Sequence, residues 1–255
     1  MLKLSRYIVY DIIRNKIVIL YTLFLLAGSF AMFRMEENSG RALLSLLNVI
    51  LIVVPLVSML FSTIHYYNSY EFIELMLSQP LSRKKILLSE FASVCLTLLM
   101  AFWIGAGIPI VIFSPDATGF SMLMSGSALT IVFTAIAFLA AVRSKDKARG
   151  IGFALLLWFY FSLIYDSLVL LVLFAFADYP MEKFTLLLSA LNPIDLARIS
   201  MMLQLDISAL MGYTGALYKD FFGSGPGLFF VIGILSLWAI VPLSFTLRSF
   251  ARKDM

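Results

Sequence analysis

Six separate stretches of this chain are each long and apolar enough to cross a lipid bilayer as one α-helix. Such a span needs roughly 20 mainly apolar residues to cover the hydrocarbon core. The six stretches cover about residues 17–33, 43–66, 86–113, 121–142, 150–176 and 227–247. Their apolar runs are continuous and lack the period-two alternation of a transmembrane strand, which argues against a β-barrel. The predicted fold class is therefore an all-α integral membrane protein.

The composition supports lipid as the solvent. Apolar residues make up 62% of the chain and charged residues 13%, whereas soluble domains are nearer half apolar and about one-quarter charged. One soluble core cannot hide that much apolar surface. High hydrophobicity also argues against intrinsic disorder, and a single cysteine, Cys95, excludes a disulfide scaffold.

The first sixteen residues precede the first span and are predicted to form an amphipathic helix. Leucine, isoleucine, valine and tyrosine give it a broad apolar face, and four cations flank that face. This pattern is typical of a helix lying in the membrane interface. Cleavage as a signal peptide is the alternative, because Ala27, Gly28 and Ser29 are small. Sixteen residues are long for the region before a signal core, so we expect the first span to be retained.

The distribution of lysine and arginine predicts the orientation. Fourteen of the 19 basic residues fall in four places on one side: the amino-terminal segment, the loop around 67–90, the loop 143–149 and the tail. The other five lie on the opposite side. Loops rich in these residues stay in the cytoplasm. Six spans place both termini on one side, so both termini are predicted to be cytoplasmic and the net charge of +4 reflects topology rather than nucleic-acid binding.

The cytoplasmic loop at 67–90 is predicted to form a helix–break–helix elbow. Residues 67–78 suit a helix, and Pro80 disfavours helical angles in the residue before it. Ser82 is predicted to cap a second helix that continues into the third span. Three polar residues at helical spacing form one stripe on the first helix: Glu71, Glu74 and Ser78. The elbow is predicted to be either a docking surface for a cytoplasmic partner or a buried connection.

The segment at about 177–227, between spans five and six, is too long and too apolar for a simple connector. Asn192 and Pro193 are a helix-start signal, with proline favoured at the first helical position. Asp195 and Arg198 follow at i,i+3 on that helix. The segment is predicted to be either a lid packed on its own helices or a platform for a partner outside the cytoplasm.

The stretch from Glu74 to Ile86 resembles the cytoplasmic loop of ABC-2 type transporter permeases. The shared pattern is an acidic residue, a leucine-rich turn, Ser-x-Pro, Ser-Arg and then a helix entering the third span. Ser89 and Glu90 stand where that family often has Gly-Lys. The resemblance implies a coupling helix that docks on an ATP-binding subunit and, when the ATPase closes, tilts and works through spans two and three. The docking residues it implies are Glu71, Glu74, Ser78, Pro80, Ser82, Arg83, Lys84 and Lys85.

Residues 191–198, followed by a glycine-rich loop, look like the NosY branch of that family, although Ala197 replaces an expected aromatic residue. That branch implies a dimeric permease of the bacterial inner membrane. It would work with an ATPase and a periplasmic β-helical protein in maturing the copper sites of nitrous-oxide reductase. The implied outer partner or substrate region is Asn192, Pro193, Asp195 and Arg198. Other ABC-2 efflux or gliding-associated permeases are the alternative.

The chain lacks the sequence motif of a phosphate-binding P-loop. An energised transporter would therefore carry its ATP and magnesium on a separate ATPase subunit, and no cofactor or metal is expected on this chain. The whole of 1–255 is predicted to be one transmembrane domain. An intramembrane enzyme is a rival hypothesis, as is a membrane relay that transports nothing.

Three residues with polar or reactive side chains, Asp166, His65 and Cys95, lie near or within the spans. Asp166 is predicted as the one acid inside a span, with either a structural or a substrate-path role, because such residues are costly in lipid. His65 is predicted to be an interfacial aromatic-belt residue rather than a proton relay or ligand. Cys95 is expected to be a packed small apolar residue. Eight methionines of the outer half are expected to fill core gaps, with a Cu(I) path as the alternative.

Overall fold

The computed structural model describes residues 2–36, 38–79, 82–144, 146–176, 187–204 and 225–252. These residues contain no β-strand, so the all-α prediction is confirmed. The principal helices are α1 Leu2–Ile13, α2 Lys16–Met35, α3 Ser39–Asn68, α4 Tyr70–Leu77, α5 Arg83–Phe113, α6 Ala117–Arg143, α7 Lys147–Ala175, α8 Pro193–Gln204 and α9 Gly225–Ala251. Each of α5 and α7 contains one π-helical turn, at Trp103–Gly107 and Tyr160–Ile164.

Six of these helices are long and apolar enough to cross a membrane: α2, α3, α5, α6, α7 and the part of α9 from Phe229. They match the six predicted spans, mostly with a few more residues at each end, since a helix runs beyond its apolar stretch. The amino-terminal segment is helical as predicted. Its Ile8 and Ile12 are buried, and α1 packs on α5, so its apolar face lies against the protein.

Four of the long helices begin at an asparagine or aspartate whose side chain accepts a hydrogen bond from a backbone N–H. These residues are Asn15, Asn38, Asp116 and Asp146, which cap α2, α3, α6 and α7. The donors are two or three residues further along, at 2.8 to 2.9 Å. Such caps satisfy backbone donors that a helix leaves open at its first turn.

Helix α6 lies at the centre of the bundle. In its apolar stretch 78% of the residues are buried, against 11% in α7. It packs against α3, α5, α8 and α9. Gly126 of α6 allows a close approach to α5, since a β-carbon there would overlap the ring of Phe102. Phe102 is fully buried, so its ring can make room only by displacing packed neighbours.

Gly126→Ala is therefore expected to destabilise the bundle by about 1–3 kcal/mol, the usual cost of overpacking a filled core. The measurement is the thermal unfolding midpoint of the purified protein in mild detergent. Gly152→Ala on α7 is the matched control, because a β-carbon at that position meets no atom within 4 Å. Equal midpoints for the two variants would contradict the packing account.

The connected helices alternate in direction, which gives the bundle two ends. At the terminal end, Lys147 donates a hydrogen bond to Asn68 at 2.8 Å and Tyr67 donates to the carbonyl of Ala141 at 3.1 Å. This end carries α1, α4 and the carboxyl end of α9. At the opposite end the rings of Phe33 and Phe113 stack with centroids 5.2 Å apart. The start of α8 and its Arg198 are bonded to Phe161 and Asp166, in the second half of α7, so α8 and helix α4 of the predicted elbow lie towards different ends.

Candidate functional site

Helix α4 forms the first half of the elbow, and it is amphipathic in the way the sequence predicts. Ile73 is fully buried, and three neighbours, Phe72, Met76 and Leu77, pack against the core. Glu71, Glu74 and Ser78 are all exposed. The helix is thus held by one apolar edge and presents an acidic edge to its surroundings, so α4 itself is not fully buried.

The second half of the elbow differs from the prediction at one residue. Ser82 occupies the N-cap position of α5 as predicted, but its side chain makes no capping hydrogen bond. Its backbone carbonyl accepts the first bonds of the helix instead, from Lys85 and Ile86. Pro80 lies outside the described residues, and α4 ends before it, at Leu77.

Arg83, Lys84 and Lys85 fill the first turn of α5 and are all exposed. That turn contains no acidic residue. Cations at a helix amino terminus oppose the helix dipole, typically by about 0.3–1 kcal/mol each at the surface. Their placement is therefore unfavourable for the helix itself and favourable for an acidic surface that approaches it. The elbow thus presents an acidic helix beside a basic turn.

A buried polar pair that was not predicted lies at the base of this elbow. His65 near the end of α3 is buried, not interfacial: its Nε2 lies 3.1 Å from Oε2 of Glu90 on α5, and its ring stacks on Phe61. Glu90 is 1% exposed and lies inside the third span. The prediction that Asp166 is the one acid in a span was therefore wrong. A signal was present, because Glu90 lies within the predicted third span itself.

The segment before α8 is fastened to α7 and α9 by side-chain hydrogen bonds to its backbone. Tyr165 donates to the carbonyl of Leu188 at 2.6 Å, and Trp238 of α9 donates to that of Ala190 at 3.1 Å. Asn192 is fully buried. Its amide donates to the carbonyl of Phe161, inside the π-helical turn of α7, at 3.0 Å.

Asn192 also starts helix α8, because its Oδ1 accepts from the N–H of Ile194 at 3.0 Å. Pro193 is the first helical residue, as predicted. One asparagine therefore both caps α8 and anchors it to the irregular turn of α7. The described part of this segment, predicted to be either a lid or a partner platform, is packed onto α7 and α9.

Arg198 of α8 joins two carboxylates that are distant in sequence. Its Nη1 lies 2.6 Å from Oδ2 of Asp166 on α7 and 3.0 Å from Oδ1 of Asp195. The exposed fractions of these side chains are 30% for Arg198, 27% for Asp166 and 14% for Asp195. Asp166, Asp195 and Arg198 form the ion cluster. With both acids ionised, it carries one more negative than positive charge.

Burial raises the pKa of Asp195, and the neighbouring carboxyl of Asp166 raises it further. Arg198 and Asn192 oppose this shift without cancelling it. Two carboxyl groups near one guanidinium share its charge, so the second of them is held in its protonated form more readily. The ion cluster therefore takes up a proton more easily than two separate aspartates would.

This shift predicts a pH dependence of stability. A carboxyl whose folded pKa is raised stabilises the fold most at low pH, and this contribution is lost as pH rises through the folded pKa. Asp195→Asn is therefore expected to flatten the fall in unfolding midpoint between pH about 5 and pH about 8. Asp11→Asn, which removes an exposed carboxyl of α1, is the control. A midpoint that falls equally in both variants would refute the assignment.

Among the described residues, no three His, Cys, Asp or Glu side chains are grouped so that they could hold a metal ion. Of the methionines considered for a copper path, Met122 and Met201 are buried in apolar clusters, whereas Met35 and Met124 are exposed. Met181 and Met211 lie outside the described residues. Met122 and Met201 therefore fill gaps in the core, as predicted.

The chain is similar to known transporter proteins over most of its length. A family described as "ABC-2 family transporter protein" matches residues 72–255, from α4 to the carboxyl terminus. A probable ABC transporter permease protein NosY of Pseudomonas aeruginosa is 30% identical over 191 residues, covering 71% of this chain and 68% of the relative. One of Stutzerimonas stutzeri is 31% identical over 179 residues, covering 66% and 58%. The chain therefore belongs to the ABC-2 family, as the permease subunit of an ABC transporter.

Proposed function

We propose that this permease couples ATP hydrolysis by a separate ATPase to export, or to mechanical work on a periplasmic partner, in the maturation of the copper sites of nitrous-oxide reductase. An ABC permease works with an ATP-binding subunit. The copper role is what similarity to NosY proteins suggests. The whole of 1–255 acts as one transmembrane domain, and it belongs in the inner membrane of a bacterium.

The elbow is the observation that carries the coupling half of this proposal. It docks the ATPase, with ATP and magnesium held on that partner. An anchored helix is needed to transmit force, and the buried Ile73 of α4 provides the anchor. The polar contacts come from the exposed acids Glu71 and Glu74 and from the basic turn Arg83–Lys85. Ser78 and Ser82, also exposed, border these charges, with Pro80 between them in sequence.

Charge supports the orientation in this proposal. The elbow and both termini belong to the terminal end of the bundle, which holds fourteen of the basic residues by the sequence count. Positive loops remain in the cytoplasm. The terminal end thus faces the cytoplasm, where ATP is available, and α8 and the ion cluster face the periplasm.

A second copy of this chain, together with membrane lipid, covers the apolar surface that the bundle leaves open. Helix α7 buries 11% of its apolar stretch and α9 buries 22%. Large side chains such as Leu171 and Phe174 are more than half exposed. Such an apolar surface is stable in contact with lipid, and packing between the helices of a homodimer covers part of it.

The opposite end supplies the working surface for a substrate or for a periplasmic β-helical protein. Asn192 and Arg198 hold α8 in a defined position on α7. Pro193 is the first residue of α8, and Asp195 pairs with Arg198. A rigid platform suits a protein partner. Asp166, which pairs with Arg198, acts here as structure, and export of another small molecule, lipid or ion is the second candidate.

An intramembrane enzyme is the less favoured rival. It needs several acid, base or nucleophilic groups gathered at one place. In the described spans, Glu90 pairs with His65 near the terminal end, whereas Asp166 pairs with Arg198 in the half nearer the opposite end. This separation favours structural and positioning roles.

Purification in mild detergent from the native bacterium tests the proposal. The expected result is co-purification of an ATP-binding subunit and of a periplasmic protein, with loss of nitrous-oxide reductase copper sites when the chain is deleted. The second candidate would be supported by two results together: a purified complex that contains an ATPase, and nitrous-oxide reductase with normal copper sites in the deletion strain. A chain without any ATPase would refute the coupling role.

A further inference from the structure

The buried pair His65–Glu90 ties together three elements at the base of the elbow. Nε2 of His65 lies 3.1 Å from Oε2 of Glu90 and 3.3 Å from Oγ of Ser69. His65 belongs to α3, Ser69 is the residue between α3 and α4, and Glu90 lies two turns into α5. The polar contacts therefore meet where the elbow leaves one span and rejoins the next.

Burying an imidazole or a carboxyl in an apolar bundle costs free energy unless the group has a hydrogen-bonding partner. Here each of the two groups is the partner of the other. Within the described residues, Oε1 of Glu90 has no hydrogen-bond partner, so His65 is the group that compensates this carboxyl. An apolar pair of similar volume would usually be at least as stable. Stability alone therefore does not account for the polar pair.

The pair lies on the path by which force applied to α4 reaches the spans. The N–H of Ser69 donates to the carbonyl of His65 at 2.9 Å, and the carbonyl of Ser69 accepts from Ile73 at 2.8 Å. Ile73 is the buried anchor of α4. A displacement of α4 thus arrives at the turn that His65 occupies. The contact with Glu90 passes it across to α5.

We propose that His65 and Glu90 are positioning residues that make the adjoining ends of spans two and three move as one unit with α4. Apolar contacts between helices resist separation but permit sliding, whereas a hydrogen bond has a preferred length and direction. The pair supplies that directional link. This inference rests on the proposed coupling function, and it assigns a role to two residues outside the predicted docking set.

The test measures motion at the far end of the bundle rather than activity. A cysteine replaces Leu191, which is 52% exposed beside α8, in a chain that carries Cys95→Ala. The complex of this chain with its ATPase is labelled with a maleimide, with and without a non-hydrolysable ATP analogue. We expect the analogue to change the labelling rate of the parent chain.

Two variants of the pair then separate positioning from folding. His65→Phe/Glu90→Leu is expected to keep the thermal midpoint and the bound ATPase, and to lose the nucleotide-dependent change in labelling. Glu90→Gln, whose amide still hydrogen-bonds the imidazole, is expected to retain most of that change. An undiminished change in the double variant would overturn the inference, as would complete loss in Glu90→Gln. A parent chain that binds no ATPase would instead refute the proposed function, and this inference with it.

Discussion

Arg198→Met is expected to lower the free energy of unfolding by about 3 kcal/mol, at the low end of the range for breaking a buried ion pair. The substitution leaves Asp166 and Asp195 facing each other without the guanidinium that bonds both, at 2.6 and 3.0 Å. These side chains are about one-quarter exposed or less around a partly exposed arginine, so solvent screening reduces the cost. The thermal midpoint in detergent is the measurement.

The matched control is Arg149→Met. Arg149 pairs with Asp146 at 3.2 Å, also at i,i+3, but the two side chains are 75% and 52% exposed. Exposed pairs contribute roughly 0–1 kcal/mol. A drop for Arg198→Met no larger than that for Arg149→Met would refute the ion cluster as a structural feature.

Asp166→Asn completes the comparison, because it leaves Arg198 balanced by Asp195. This variant is expected to fold, with a smaller loss of stability than Arg198→Met. Copper-site maturation of nitrous-oxide reductase in a strain that carries this variant then distinguishes a structural role of Asp166 from a substrate-path role. Full activity supports the structural role, whereas a folded and inactive chain places Asp166 on a substrate path.

Arg83→Glu/Lys84→Glu is expected to abolish co-purification of the ATPase. Both cations are exposed in the first turn of α5, and reversing them sets like charges against the acidic surface that the elbow is proposed to meet. Like-charge juxtaposition at an interface costs several kcal/mol, and about 3 kcal/mol already weakens binding by roughly a hundredfold. Fold and insertion should survive, because acids suit a helix amino terminus.

Arg248→Glu/Arg252→Glu is the control for that experiment. These arginines are also exposed at the terminal end, on and just after α9. Both variants remove two cations from the same side, so any effect on membrane orientation is shared. The control should keep the ATPase. Retention of the ATPase by the elbow variant, or its loss in both variants, would contradict docking through the basic turn.

Local patterns in the sequence were sufficient to predict the helices. Six apolar runs predict six spans because the bilayer selects helices by summed hydropathy and length. Pro193 predicts the start of α8, because proline favours the first helical position, and the polar stripe of α4 follows from helical spacing. Each of these inferences needs only residues within a few positions of one another.

The two polar pairs depend on contacts between distant parts of the chain. Glu90 is 25 residues from His65, and Asp166 is 32 from Arg198. Periodicity can place each residue on a helix face but cannot say which faces meet. The prediction of an interfacial His65 failed for this reason, since hydropathy near a span end does not distinguish a residue facing lipid from one facing Glu90.

Hydropathy, length and capping act locally, so the amino-acid sequence is enough to predict a six-span helical membrane protein with a polar elbow and a helix starting at Pro193. The packed helices were needed to reveal the buried imidazole–carboxyl pair beneath the elbow and the arginine that holds α8 between two aspartates. An ionisable group in an apolar bundle is stable only beside its partner. Helix packing determines which partner that is.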